Sequence, residues 1–231
     1  MIRFLNRSNE GHAPARAAVV AGHYLGTWPD PRTSCEAYAV LLPGYVGQVG
    51  YATVGRPEAQ KCGAWYGSVE DVATGRCEVT RWQVLNLSRL WLHPCVQPGG
   101  GHHAPGRGVP GFTDRRGVFR STLASDTLRE VAQRVRLDYL LARPPCFLEE
   151  PYQLRWLLSY CDTSRHRGTT YQAAGFELYR KAGGPSHTID TYRLPLAPLT
   201  PEEDAQVREA SRTNPRAQQY RATRAQTCLA L

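Results

Sequence analysis

The stretch from Ser159 to Phe176 constrains the fold of this chain more than any other. An apolar run, Leu154 to Cys161, reads as a strand and stops at Asp162. A polar loop follows, then Gly168-Thr-Thr-Tyr171-Gln-Ala-Ala-Gly175-Phe176. The spacing predicts a short helix over Thr169 to Ala174 that presents Tyr171, with Gly175 reversing the chain. The pattern thus sets a carboxylate at a strand end and a phenol one helical turn beyond it. Such a phenol can act as a general acid, or it can pack in the core with its hydroxyl on backbone.

Other segments supply the rest of an α/β domain. Residues 1–17 read as a leader of low order, because Gly11 and Pro14 interrupt any pattern, and Ala18 to Tyr24 as a short helix. Cys35 to Leu42 and Tyr45 to Val54 form a predicted hairpin about Pro43-Gly44. Gly55 to Thr80 reads as mixed loop and helix, and Trp82 to Leu92 as a central strand ended by His93-Pro94. A mobile loop is expected over 97–117. Ser125 then serves as N-cap to a helix whose Leu128, Val131, Ala132 and Val135 share one face. Glu177 to Arg180 and His187 to Leu194 are the closing strands, and Pro201 to Ala210 a polar helix. The resulting fold class is α/β, a mixed sheet with a helix crossing over between two neighbouring strands. It occupies one domain, 18–196, followed by a basic tail, 197–231, that is helical or disordered.

Charge indicates the partner. The chain of 231 residues carries a net charge of +8, and only Lys61 and Lys181 among its 28 basic side chains are lysine, so 26 are arginine. Arginine's planar fork suits phosphates and bases, although a GC-rich genome or a simply solvated surface gives the same bias. Seven widely spaced cysteines with no CxxC argue against a zinc ribbon. The N-terminal segment has no apolar h-region and no later run approaches membrane-spanning length, so a cytoplasmic location without a membrane is expected.

The Tyr-x-x-x-Gly-Phe ending at Tyr171 to Phe176 resembles the element that closes the acyl-CoA site in GNAT acyltransferases. Leu85 to Pro94 resembles the GNAT strand that offers backbone contacts to acyl-CoA, here through Ser88, Leu90 and Leu92. The resemblance implies a mixed, mostly antiparallel sheet flanked by helices. The Gly-rich loop that normally follows this strand and cradles pyrophosphate is missing, and Gly99-Gly100-Gly101 is the one candidate phosphate nest.

Within this superfamily, His23-Tyr24, Leu87-Ser88-Arg89, Ser125, Asp162 and Tyr171 occur in the order found in the phage Mom proteins, over roughly two thirds of the chain. Those are GNAT-like enzymes that convert adenine in phage DNA to a methylcarbamoyl form and shield it from nucleases. The resemblance implies a reaction centre of His23, Tyr24 and Asp162, able to take a proton or hold a metal such as iron. It further implies Tyr171 as acid or orienting phenol, Arg89 as electrostatic anchor and Ser125 as hydrogen-bond donor to an acetyl-CoA-type donor. The partner is then double-stranded DNA in a bacterial host or phage-infected cell. Arg107, Arg115, Arg116 and Arg120, with Arg212, Arg216, Arg221 and Arg224, are candidate phosphate contacts. A GNAT acetyltransferase acting on another amine, and a non-catalytic DNA-binding scaffold, are the alternatives. The oligomeric state is open, a homodimer included.

Adenine's exocyclic amine is delocalised into the ring, and a duplex-modifying enzyme must flip the base, losing stacking of a few kcal/mol. Trp65-Tyr66 is the expected stacking pair. His102-His103, Cys161 as a nucleophile and Glu149-Glu150 are weaker candidates, read as solvated loop, buried strand and solvated loop.

Overall fold

A computed structural model describes residues 2–5, 12–29, 36–60, 62, 64–146, 148, 152–183 and 188–229, without the side chains of 224–229. In chain order the elements are β1 (Ile2–Leu5), α1 (His12–Gly22), β2 (Glu36–Val40), β3 (Gly50–Gly55), β4 (Tyr66–Gly67), α2 (Val69–Ala73), β5 (Val79–Thr80), β6 (Val84–Leu92), β7 (Gly111–Thr113), β8 (Phe119–Ser121), α3 (Leu123–Ala142), β9 (Trp156–Asp162), α4 (Thr169–Ala173), β10 (Glu177–Arg180), β11 (Ile189–Pro195), α5 (Pro201–Thr213) and α6 (Pro215–Leu229). Cys35, Glu149, Glu150 and His187, to which sequence reasoning gave roles, lie outside the described residues.

By its contacts the chain divides into two units: Met1–Glu58, Leu85–Ala132 and Leu157–Pro195 in the first, and Ala59–Val84, Gln133–Trp156 and Leu196–Leu231 in the second. The first is built on a seven-stranded sheet of order β1-β2-β3-β6-β9-β11-β10. The pairings β1–β2, β2–β3, β3–β6 and β10–β11 are antiparallel. This is the α/β class with a mostly antiparallel sheet and flanking helices. β6 and β9 are neighbours joined through α3, the expected crossover.

Strand alternation sorts the core. On one face Ala37, Ala39, Leu5 and Tyr51 pack with Ala15 and Val19, one helical turn apart on α1, and with Ala18, Trp28 and Trp91. Val40, Leu42, Val49, Val96, Val109 and Leu123 form a second cluster. The face predicted for the crossover helix is correct, since Leu128, Val131, Ala132 and Val135 are all buried.

Several expectations need correction. The first residues are not all leader: β1 pairs along β2 from Ile2↔Val40 to Leu5↔Ala37. α1 begins at His12 because Pro14 sits in its first turn, where a missing N–H costs nothing. Residues 41–49 are a turn rather than strand, with Gly44 and Gly47 at φ of 81° and 91°. The loop 97–117 contains β7, which pairs with β8. By contrast, α4 and its stop at Gly175 (φ 93°) fall where Tyr171 and Gly175 put them.

In the second unit, β4 and β5 pair in parallel beside α2, which carries a Ser68/Asp71 capping box. α5 carries a Thr200/Glu203 box. The tail is helical where described. Arg221 there bonds the carbonyls of Cys146 (3.2 Å) and Ser211 (2.9 Å), so it braces the fold rather than a phosphate.

Candidate active site

The end of α1 carries the first two residues. The His23 amide donates to the Val19 carbonyl (2.9 Å), extending the helical ladder beyond Gly22, and Gly26 then turns the chain away. β6 fixes this end from two sides. A Cβ on Gly22 would fall 2.2 Å from Trp91 Nε1, so only glycine lets the helix approach the indole. Two residues back along the strand, Arg89 donates to the Thr27 carbonyl (3.2 Å), the Thr27 hydroxyl (3.1 Å) and its neighbour's carbonyl at Ser88 (2.7 Å). Arg89 is therefore first a clamp on the segment bearing His23 and Tyr24. Its charge also acts on both.

His23 is a neutral imidazole at neutral pH. Burial, then Arg89 and His166, lower its pKa to about 4. Its Nδ1 accepts the Leu25 amide (3.2 Å), which assigns the proton to Nε2. Nε2–H is thus a hydrogen-bond donor.

Tyr24 stacks on His23 (4.4 Å between centroids), with the Arg165 guanidinium 5.1 Å from its ring and the His166 ring 5.6 Å away. Burial first, and the charge of Asp162 second, push its pKa up. Asp162 ends β9. Its Oδ1 accepts the Ser164 amide (3.0 Å) and hydroxyl (2.6 Å), and Arg165 Nε lies 3.6 Å from Oδ2. The Ser164 bonds chiefly hold the carboxyl below its usual pKa, so it is ionised.

Tyr171 stands on α4, stacked on Tyr192 (5.2 Å) and edge-on to Phe176 (5.6 Å). Desolvation raises its pKa, a hydrogen bond with Ser159 opposes this, and Cys161 and Tyr24 add to the rise. The phenol stays protonated. Ring and charge contacts join His23 to Tyr24, Tyr24 to Arg165 and His166, and Arg165 to Asp162, while the charge of Tyr24 is felt at Tyr171. His23 and Tyr24 beyond α1, Arg89 on β6 and Asp162 on β9 are thus linked through Thr27 and Arg165, and Tyr171 on α4 lies within electrostatic reach of Tyr24. Sequence reasoning missed His166, Arg165, Thr27 and Tyr192. The run Ser-Arg-His-Arg between Asp162 and Gly168 was the available signal for the first two.

Other candidates lie elsewhere or are otherwise engaged. Ser125 is not the N-cap of α3. It is buried in the first turn and donates to the Thr122 carbonyl (2.9 Å). Ser88 bonds within its own strand to Asn86, Leu92 packs on the second core cluster, and the Leu92 carbonyl accepts the Gln97 side-chain amide. Leu90 is half-buried, in register with Ala52. Trp65 and Tyr66 are fully buried and cannot stack on a base. Cys161 is a buried thiol whose pKa burial raises, which leaves no thiolate nucleophile.

A pyrophosphate does not fit where the resemblance would put it. In the glycine run, the amides of Gly100, His102 and His103 are turned inward onto Gln97, Cys95 and Gly100 carbonyls. The first turn of α3 holds its own carboxylate, Asp126, bonded by Thr122 (2.6 Å) and Arg129 (2.7 Å). Iron does not fit the proposed set either. Both Asp162 oxygens are engaged, the Tyr24 phenol resists ionisation and His23 Nδ1 is occupied. Among the described residues, no three His, Cys, Asp or Glu side chains gather as a metal site. No helix among them is long and apolar enough to cross a membrane.

No protein-family model and no curated protein matches the chain. The structure is similar to that of a candidate GNAT-family acetyltransferase from Desulfovibrio desulfuricans, at 15% identity and TM-score 0.46, covering 85% of this chain and 100% of that one. It is also similar to aminoglycoside acetyltransferase AAC(6')-Ib in complex with coenzyme A and kanamycin, at 15% identity and TM-score 0.43, covering 90% and 98%. At that level of likeness neither an activity nor a ligand passes to this chain.

Proposed function

We propose that this chain is a GNAT-type transferase that moves an acyl-derived group onto an amine, and that the amine is the exocyclic nitrogen of adenine in DNA. The observation that supports this reading is the linkage of His23, Tyr24, Arg89, Asp162 and Tyr171, the set that the Mom resemblance implies, across four segments of the chain. The donor is an acyl carrier of the acetyl-CoA kind, held by groups other than the glycine run and the α3 terminus.

The roles follow from protonation. Neutral His23 offers Nε2–H to an oxygen that gains negative charge, the task of an oxyanion-hole donor. Tyr171 holds a proton at Oη for a departing group. Asp162, ionised and weakly basic, takes a proton only from a strong acid. That matches an arylamine adduct, whose nitrogen proton is far more acidic than an alkylammonium. Arg89 acts through Thr27 as a positioning residue.

Digestion of plasmid DNA co-expressed with this protein tests the reading. A mass-shifted deoxyadenosine is expected. A shift on another base, or none with folded protein present, contradicts adenine as the target.

A further inference from the structure

We propose that the β7–β8 hairpin is a preformed finger that enters a groove of duplex DNA, with Arg115 and Arg116 on phosphates and Phe112 against the bases; this rests on the reading of the chain as a DNA-modifying enzyme. The finger is braced at its root. Gly111 pairs with Ser121, the Thr122 amide donates to the Pro110 carbonyl (2.9 Å), and Phe119 packs on the core cluster that contains Val109 and Leu123. Since alternate strand residues face opposite ways, seating Phe119 inward turns Phe112 and its cross-strand partner Arg120 outward. Phe112 is 58% exposed.

The tip is equally fixed. Asp114 Oδ1 accepts the amides of Arg116 (2.9 Å) and Val118 (3.0 Å), its own amide donates to the Val118 carbonyl, and Oδ2 accepts Arg120 Nε (3.0 Å). The one carboxylate of the turn is therefore matched by Arg120, and Arg115 and Arg116 give the exposed tip its surplus positive charge. Of the arginines assigned to phosphates from sequence, Arg120 thus helps to build the turn.

A two-stranded ribbon is of a width that the major groove admits. Arginines at a ribbon tip reach the phosphates on either wall. An aromatic ring on the outward face can stack where a flipped base leaves the column open. A tip held by these four hydrogen bonds loses little freedom on binding, which favours recognition of a rigid partner.

Fluorescence anisotropy of the full chain with a labelled duplex, across a salt series, tests this. The Arg115→Ala/Arg116→Ala double variant is expected to make the log–log salt slope shallower by about two. Phe112→Ala keeps the slope and weakens binding about tenfold, while Phe112→Leu, with bulk but no flat ring, falls between. Unchanged far-UV circular dichroism is expected, since all three side chains are exposed. Variants that match the parent in affinity and slope overturn the finger and leave the DNA reading standing. A parent protein with no salt-dependent duplex binding overturns both. Loss of self-association in Phe112→Ala, at unchanged DNA affinity, makes the finger a contact between copies and overturns the proposal.

Discussion

Two clusters in this molecule use the same ingredients, phenol, carboxylate and arginine, and arrange them differently. In the second unit Tyr152 donates to Asp204 Oδ1, Arg208 donates to Oδ2 (2.7 Å), and Arg136 engages both oxygens of Glu203, with one bond at 2.9 Å. Burial and then the Asp204 bond push the Tyr152 pKa up to about 12. Nevertheless that phenol's proton is already donated within the protein. At Tyr24 and Tyr171 desolvation is again the first cause, but among the described residues no carboxylate takes the phenolic proton in a hydrogen bond, and His23 keeps its proton on Nε2. A large shift within a closed network marks a brace. Groups with hydrogen-bonding capacity left over mark a place for chemistry.

The sharpest way to break this contrast is Tyr171→Phe. Transfer is expected to fall about 10²–10⁴-fold, the range for a lost general acid, while the urea midpoint moves little. A loss of stability without a loss of rate would reverse the assignment. Next is His23. His23→Ala should cost about 10²–10³-fold as for a lost oxyanion donor, whereas His23→Gln, which keeps an N–H, should stay within about tenfold of the parent. Were His23 a base, both variants would be equally inactive.

Stability effects are smaller and belong to the other cluster. Asp204→Ala leaves Tyr152 and Arg208 without their acceptor and should cost about 1–2 kcal/mol by urea denaturation, with transfer per folded molecule unchanged. The pH dependence has opposite signs at the two ends. Glu203 and Asp204 have depressed pKa values, so their contribution is present above the ordinary carboxylate pKa and is lost as pH falls below it. Tyr152 is raised, so its contribution holds below pH 10 and fades as pH climbs towards about 12. The least conspicuous prediction concerns rate: kcat/KM should show no titration near 6.5, the ordinary histidine value, and should stay level down to about 4, where His23 protonates.

The contrast also explains what was legible in the sequence. Tyr171, Gly175 and Asp162 were readable because each is local: a strand end, one turn of helix and a glycine stop lie within eighteen residues. The crossover face of α3 was readable from spacing alone. The N-terminal strand was hidden because Ile2–Leu5 has meaning only against β2, some thirty-five residues away. Ser125 was misread because Thr122 and Ser121 compete with it for the helix start, with Ser121 Oγ accepting the Leu123 amide (3.1 Å). Arg89 was given a charge role, yet its partner Thr27 lies 62 residues earlier in the chain, in a segment with no motif of its own. Short-range chemistry is written in the sequence; the partners that complete it are set by packing.

The most direct measurement sets the two clusters against each other in one assay: the adduct on co-expressed DNA, quantified per folded protein, for the parent, Tyr171→Phe and Asp204→Ala. The account predicts modified deoxyadenosine from the parent and from Asp204→Ala, and almost none from Tyr171→Phe. Modified deoxyadenosine at the parent's yield from Tyr171→Phe, or its loss from folded Asp204→Ala alone, would contradict it.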